Sequence, residues 1–317
     1  GQFGTRLEGG KDHASERYIF TQLNNLTRTI FPEADDKILN YLDDDGSSIE
    51  PDYYLPIVPM ILINGGKGIG TGFSYEGMSY KLTEIIDYLQ HKMSNKPKDI
   101  EAMTKIKFKP YYEGFRGTVI KVSDQKYLFK GCFKVLSSNS IQITELPVGT
   151  WTSNYKEFLE SLMEDKVVKS KGKKVVKSKA IIKSYKDMCT ESTIDFTVRF
   201  HGSNLTDLIS KKYDDNINML EKTLKLTTTK TSSNMHLFTK DQKLKKYNTP
   251  MEIIDDYYPV RYDGYVRRKE YQIKALEREL VLLSNKAKFI KEQCDNIIDL
   301  RRKKKQVVID LLKTRGY

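Results

Sequence analysis

The strongest limit on the fold is a seam of apolar residues near the C-terminal end. After Pro259, Val266, Ile273, Leu276, Leu280, Leu283, Ala287, Ile290, Cys294 and Ile297 recur at alternating three- and four-residue spacing, interrupted only by Lys269. That period keeps one face of a helix apolar over several heptads, so it predicts a long helix that continues into a coiled coil. A single helix cannot bury such a seam. Its partner is expected from another chain or from sequence beyond Tyr317.

The rest of the chain must supply separate cores, because 317 residues exceed what one core of ~250 residues usually organises. Lysine and arginine number 54 against 42 aspartates and glutamates, a formal +12. This excess fits a polyanionic partner, or merely a lysine-solubilised surface, and only placement separates the two. Cys132, Cys189 and Cys294 show no C-x-x-C spacing, so free thiols in a reducing compartment are expected and a zinc site or disulfide framework is not. The most apolar run, "YLPIVPMILIN", is too short to span a bilayer and carries Pro56 and Pro59. The first residues, "GQFGTRLEGG", have no signal-peptide pattern and read like the middle of a domain, so both ends are expected to be cut edges.

Along the chain, Tyr18, Ile19, Leu23, Leu26 and Ile30 share a helical face, predicting a helix from Ser15 with Asp12 or Ser15 as its cap. "LDDDG" reads as a solvated turn, and "MILIN" as a buried strand that empties into "GGKGIGTGFS". A helix is predicted over Tyr80–Met93, then a linker, "SNKPKD". Beyond it, "FRGTVIKV", "YLFKGCFKVL", "SIQITEL" and "TIDFTVRF" alternate as antiparallel strands do, with a helix after Trp151, giving a second module over residues 99–248. Inside it, Lys166 to Lys179 is lysine-dense and reads as a mobile, solvated insertion or as an extra phosphate contact.

Three patterns carry candidate chemistry. "GGKGIGTG" looks like a phosphate-cradling loop, but Gly68 follows Lys67 where a P-loop needs Ser or Thr. Ile69, a bulky apolar residue between glycines, either packs back on its strand or serves as a wedge between base steps. His13, His91, His201 and His236 are scattered, so no metal site is expected within the chain. The third pattern is Arg17-Tyr18. A phenol ionises near ~10 and needs a cation to become a competent nucleophile. A neighbouring guanidinium supplies that charge and also matches phosphoryl oxygens as they gain charge, while a helix N-terminus would add to the same field. The same two letters also suit an ion-pairing arginine beside a half-buried tyrosine.

The surrounding blocks decide. "GQFGTRLEGGKDHASERYIFT" resembles the segment around the active-site tyrosine of eukaryotic-type DNA topoisomerase II, a type IIA topoisomerase. "EPDYYLPIVPMILINGGKGIGTGFS", "ITELPVGTWTSNYKEFLE", "KLTTTKTSSNMHLF", "LKKY" and "RRKEY" resemble further family blocks in the family's order, covering essentially the whole chain. The resemblance implies an α+β, multidomain breakage-reunion core: the remainder of a winged-helix domain (1–98), a sheet-rich tower (99–248), and a coiled coil leading to the exit gate (249–317). It implies that Tyr18 is the nucleophile, that Arg17 stabilises the transition state, and that Ile69 is a DNA wedge. The family's second DNA-contact stretch falls on Lys225, Leu226, Thr227, Thr228, Thr229, Lys230, Thr231, Ser232, Ser233 and Asn234, and Arg6 and Lys11 are also expected at DNA. His13 and Glu16 depart from the family pattern. The implied partners are double-stranded DNA, a second copy in a homodimer, and the Toprim and ATPase segments of the full-length enzyme. The implied cofactors are Mg2+ and ATP, both held on those segments. The implied place is the nucleus, or host cytoplasm for a viral protein. A non-catalytic DNA-binding and dimerising scaffold of the same fold is the alternative.

Overall fold

The computed structural model describes every residue except Gly1, Gln2, Asn95, Lys171, Gly172, Lys179 and Ser203, with the side chains of 166–179 and Asn204 also outside the description. The first part of the chain forms α1 (Thr27–Ile30), a 3-10 turn (Glu33–Ile38), β1 (Tyr41–Asp44), β2 (Ser47–Pro51), α2 (Met60–Asn64), β3 (Gly66–Ile69), β4 (Ser74–Gly77), α3 (Leu82–Ser94) and α4 (Pro97–Lys105). Then come β5 (Thr118–Ser123), β6 (Lys126–Lys130), β7 (Cys132–Ser137), β8 (Ser140–Glu145), α5 (Thr152–Met163), β9 (Lys166–Ser170), β10 (Lys173–Ser178), β11 (Ile182–Asp187) and β12 (Phe196–Phe200). The last part holds α6 (Asn204–Ser210), α7 (Met219–Thr223), β13 (Thr227–Thr231), β14 (Met235–Phe238), β15 (Leu244–Tyr247), α8 (Pro250–Cys294) and α9 (Lys305–Thr314). The mixed content agrees with the expected α+β class. Two compact units form, one of Gly1–Asn24 with Val58–Asp256, the other of Asn25–Ile57 with Tyr257–Tyr317.

In the first unit, the main core lies under an antiparallel sheet ordered β11-β12-β8-β7. Strand alternation turns Ile141 and Ile143 of β8 and Phe196, Val198 and Phe200 of β12 inward. Helix α5 lays Tyr155, Leu159 and Leu162 onto them at four- and three-residue spacing. Each such buried side chain contributes ~1.5–3 kcal/mol. The Tyr155 hydroxyl stays satisfied in this apolar setting by donating to the Leu224 carbonyl at 2.8 Å. A second sheet is ordered β13-β6-β5 and a third β15-β14-β4-β3. Residues 232–234 run from β13 in the one to β14 in the other.

Several sequence expectations change here. "MILIN" is the short helix α2, not a strand. Pro59 precedes it and Gly65, at φ 64°, ends it, and a five-residue apolar run between those two punctuators is one that periodicity cannot assign. The glycine-rich segment after it is itself a strand, β3, rather than a loop. Its hairpin needs glycine for aromatic packing: a Cβ on Gly70 would sit 2.5 Å from the Phe73 ring, and one on Gly77 would sit 1.8 Å from the Tyr75 hydroxyl. The expected linker is largely taken up by α4, which Pro97 opens at a first-turn position where its missing N–H costs nothing. The lysine-dense stretch, expected as a mobile insertion, has backbone in an antiparallel pair, β9 with β10. Its side chains lie outside the described residues.

The helix predicted from Ser15 does not form, and only Thr27–Ile30 is helical. Ile19, Phe20 and Leu23, the intended apolar face, are exposed, and Thr21, Asn24 and Asn25 are poor helix formers. Without packing, a short run of such residues does not pass the nucleation cost.

The second unit contains the β1–β2 hairpin, whose turn at Asp45 (φ 50°) and Gly46 (φ 84°) is the one expected from "LDDDG". Buried Asp35 takes Arg261 at 2.7 Å and Arg268 at 3.2 Å, and the Tyr265 ring lies 3.9 Å from the Arg261 guanidinium carbon. Tyr257 donates to the Pro56 carbonyl at 2.7 Å and Arg267 to that of Ile38 at 2.9 Å. Together these strap the segment before residue 57 onto the long helix.

Helix α8 is 45 residues long and begins ahead of Pro259, which lies inside it. Leu276, Leu280 and Leu283 of the predicted seam are exposed. At its far end the partner is closer than expected, because α9 of the same chain turns back on it. Arg315 and Tyr317 both reach Glu292, at 3.0 Å and 2.9 Å, and the Tyr317 ring meets Phe289 edge-on with centroids 6.1 Å apart.

Candidate active site and nucleic-acid interface

Every residue of the site belongs to the first unit. The approach to Tyr18 is a closed loop: Thr5 donates its backbone N–H and its hydroxyl to the two oxygens of Asp12, at 2.8 Å and 2.5 Å. Those bonds hold the Asp12 carboxyl below its ordinary value. The loop is docked by three further contacts. Arg6 pairs with the buried carboxylate of Glu145, its N–H reaches the Glu191 carbonyl at 3.2 Å, and Ser153 donates to the Leu7 carbonyl at 3.0 Å. Gly9, at φ 64°, lies so close to Trp151 that a Cβ would fall 2.3 Å from its ring, so the double glycine serves this contact.

Arg6, expected at DNA, is thus committed to Glu145 inside the protein, and Lys11 is the exposed cation of this loop. Glu145 also accepts from the N–H groups of Arg116 at 3.2 Å and Leu146 at 2.9 Å, a role that sequence reasoning missed. Nothing in "ITELP" distinguishes that glutamate from a solvated one.

Past the loop the chain is irregular, and Tyr18 is 60% exposed. The Arg17 guanidinium carbon sits 4.9 Å from the centre of the Tyr18 ring, over its face. The sequence-based assistance from a helix N-terminus is withdrawn, since no helix starts there; the cation is Arg17 itself. An exposed phenol under a guanidinium has what attack on an external phosphodiester needs: access, and positive charge beside the oxygen as it gives up its proton.

Ile69 ends β3, 87% exposed, paired with Ser74 across the hairpin. Of its two readings, packing back on the strand is therefore excluded. An apolar side chain held out on an edge strand has the shape of a wedge.

The stretch from Lys225 to Asn234 divides by burial. Leu226 and Ser232 are buried, which removes both from the expected contact surface. Leu226 belongs to the main core and Ser232 donates its N–H to Gln125 at 2.9 Å. Thr227, Thr228 and Lys230 are half-buried, with Thr228 bonded to the Val148 carbonyl at 3.0 Å and Lys230 3.8 Å from Glu76. Lys225, Thr229, Thr231 and Ser233 are exposed, along the outer strand of the β13-β6-β5 sheet. Asn234 is turned to Ser74, on the strand facing Ile69.

Among the described residues no group of three or more His, Cys, Asp or Glu side chains is arranged to hold a metal. Near Tyr18, Asp12 is engaged by Thr5 and His13 by the Ala14 carbonyl at 2.8 Å. These residues by themselves do not fit a magnesium ion. Nor is any described helix long and apolar enough to cross a membrane.

Comparison with known proteins agrees with this geometry. The family model for the A-type subunits of DNA gyrase and topoisomerase IV fits residues 1–317. DNA topoisomerase 2 of Arabidopsis thaliana is 37% identical over 100% of this chain and 20% of its own length, and human DNA topoisomerase 2-alpha 37% identical over 100% and 19%. The chain thus spans about a fifth of the length of the curated relatives it matches. A crystal structure of the Plasmodium falciparum topoisomerase II DNA-binding, cleavage and re-ligation domain superposes with a TM-score of 0.86 at 37% identity, covering 100% of this chain and 40% of that one. The chain belongs to the DNA gyrase/topoisomerase IV family, among its A-type subunits.

Proposed function

We propose that this chain is the DNA breakage-reunion core of a type II DNA topoisomerase, with Tyr18 as its nucleophile. The observation that carries the reading is the exposed Tyr18 phenol beneath the Arg17 guanidinium, in a chain of this family. The Tyr18 oxygen attacks a backbone phosphorus. The new bond joins tyrosine to the 5′-phosphate, the bond from phosphorus to the 3′ oxygen breaks, and that oxygen leaves as a free 3′-hydroxyl, taking up one proton while the phenol gives one up. Arg17 meets the charge that builds on the phosphoryl oxygens. Attack by the 3′-hydroxyl reverses the step and reseals the strand. The phosphotyrosyl ester keeps the energy of the broken bond, so cutting itself uses no ATP.

In this reading Ile69 enters the duplex between base pairs and helps bend it, while Lys225, Thr229, Thr231, Ser233 and Lys11 face phosphates. The finer architecture is a winged-helix remainder over 1–98, a tower over 99–248, and a coiled coil from 249 toward an exit gate. Two copies cut both strands of a duplex so that another can pass. Magnesium and ATP enter through Toprim and ATPase segments of the whole, nuclear enzyme; the named relatives, from plant to human, are eukaryotic.

The test is covalent trapping. The full-length enzyme, given nicked DNA and magnesium, is expected to yield an adduct that survives denaturation. Tyr18→Phe removes the adduct and leaves DNA binding nearly intact. An adduct persisting in that variant overturns the assignment, and a wild-type enzyme that binds DNA but yields none would leave only a scaffold.

A further inference from the structure

The β3–β4 hairpin that carries Ile69 joins the rest of its sheet at a narrow seam: β4 and β14 pair at the single register position Tyr75 opposite Met235. Side chains on both sides of that position reinforce it. The Asn234 amide donates to the Ser74 hydroxyl. The Nδ1 atom of His236 lies 3.2 Å from the Ser74 carbonyl and 3.2 Å from the Asn234 side-chain oxygen. The Glu76 N–H reaches the Asn234 carbonyl at 2.8 Å, and Phe73 meets Phe238 edge-on at 5.6 Å. Ser74, the centre of these contacts, is the residue paired with Ile69.

Unstacking a base step costs a few kcal/mol, and a wedge transmits that load into whatever holds it. Strand β3 is an edge strand of four residues, two of them glycine, so it has little stiffness of its own. The load passes to Ser74. We infer that Asn234 and His236 are positioning residues of the Ile69 wedge, clamping Ser74 so that the hairpin does not yield when the side chain enters DNA. Asn234 accordingly acts through the wedge and not as a phosphate donor. Both oxygens facing Nδ1 are acceptors, so that nitrogen carries the proton. An asparagine at 236 can place an N–H near the Nδ1 position, whereas a glutamine reaches toward Nε2.

This inference rests on the wedge reading, and the experiment separates the two. In the full-length enzyme, bending of an end-labelled duplex is read by energy transfer and unstacking by a fluorescent base analogue, with melting curves as a check on folding. Ile69→Ala is expected to abolish most of the bending. Asn234→Ala and His236→Ala lower the bent fraction roughly three- to tenfold, the scale of one lost hydrogen bond. His236→Asn restores bending and His236→Gln does not, a contrast that stays readable even where an alanine variant folds poorly. Bending lost in Ile69→Ala but unchanged in Asn234→Ala and His236→Ala, or glutamine rescuing as well as asparagine, overturns the clamp and leaves the wedge. Unchanged bending in Ile69→Ala overturns both.

Discussion

At the scale of single residues, the proposed chemistry asks two different things of Arg17. Over the face of Tyr18, at 4.9 Å from the ring centre, the guanidinium holds the phenol by a cation–π contact and supplies charge near the reacting oxygen. Only its planar fork can also match two phosphoryl oxygens at once. Arg17→Ala is therefore expected to slow adduct formation by roughly 10²–10³-fold. Arg17→Lys should recover part of that, since it keeps the charge and loses the fork. Single-turnover cleavage measures both, and a lysine variant as fast as wild type would reduce Arg17 to a point charge. The Arg17-Tyr18 pair was legible because its chemistry is local to two adjacent letters. Glu145, which holds the loop ahead of it through Arg6, was not: the pairing spans 139 residues, and no local pattern encodes it. Leu226 shows the converse, a core residue inside a run of polar phosphate donors, whose zero exposure follows from α5 and the sheet packed against it.

At the scale of elements, periodicity succeeded where an element buries one face against a large partner. The strands of residues 118–200, helix α5 and helix α8 all follow their apolar spacing. It failed at "MILIN" and at residues 15–26, where short runs carry the right residues but packing, not pattern, chooses the conformation. The return of α9 onto α8 could not be read either, since it depends on Glu292 meeting Arg315 and Tyr317. That contact predicts a pH response. Partial burial tends to raise the Glu292 carboxyl, but the hydrogen bonds from Tyr317 and Arg315 outweigh it and leave the group below its ordinary 4.5. A depressed folded value means that the contact's contribution is whole above 4.5 and fades as pH falls through the lower folded value. Amide exchange in α9 should therefore be slow and flat on the neutral side and accelerate in acid. Glu292→Gln should show the fast limit at neutral pH. Exchange equally fast in wild type and variant at neutral pH would mean that the ion pair does not hold α9.

At the scale of the whole molecule, the formal +12 is the property DNA reads first, because every phosphate neutralised releases counterions and steepens the salt dependence by ~0.9. The segment from Lys166 to Lys179 holds seven of the lysines, and its ends meet without it. Asp165 accepts from the Ala180 N–H at 2.8 Å, and the Ile181 N–H reaches the Leu162 carbonyl at 3.0 Å. Replacing 166–179 by a short glycine turn therefore leaves the four-stranded sheet and α5 in register, with little added loop entropy. If the lysines touch DNA, the slope of log affinity against log salt becomes shallower by roughly 1–3, the effect of a few lost phosphate contacts. Trapped adduct at saturating enzyme should be unchanged, since Tyr18, Arg17 and Ile69 all lie elsewhere in the sequence. An unaltered slope would make the β9–β10 pair a spacer, and the basic excess that matters to DNA would then have to reside on the exposed faces of β13 and the Tyr18 loop.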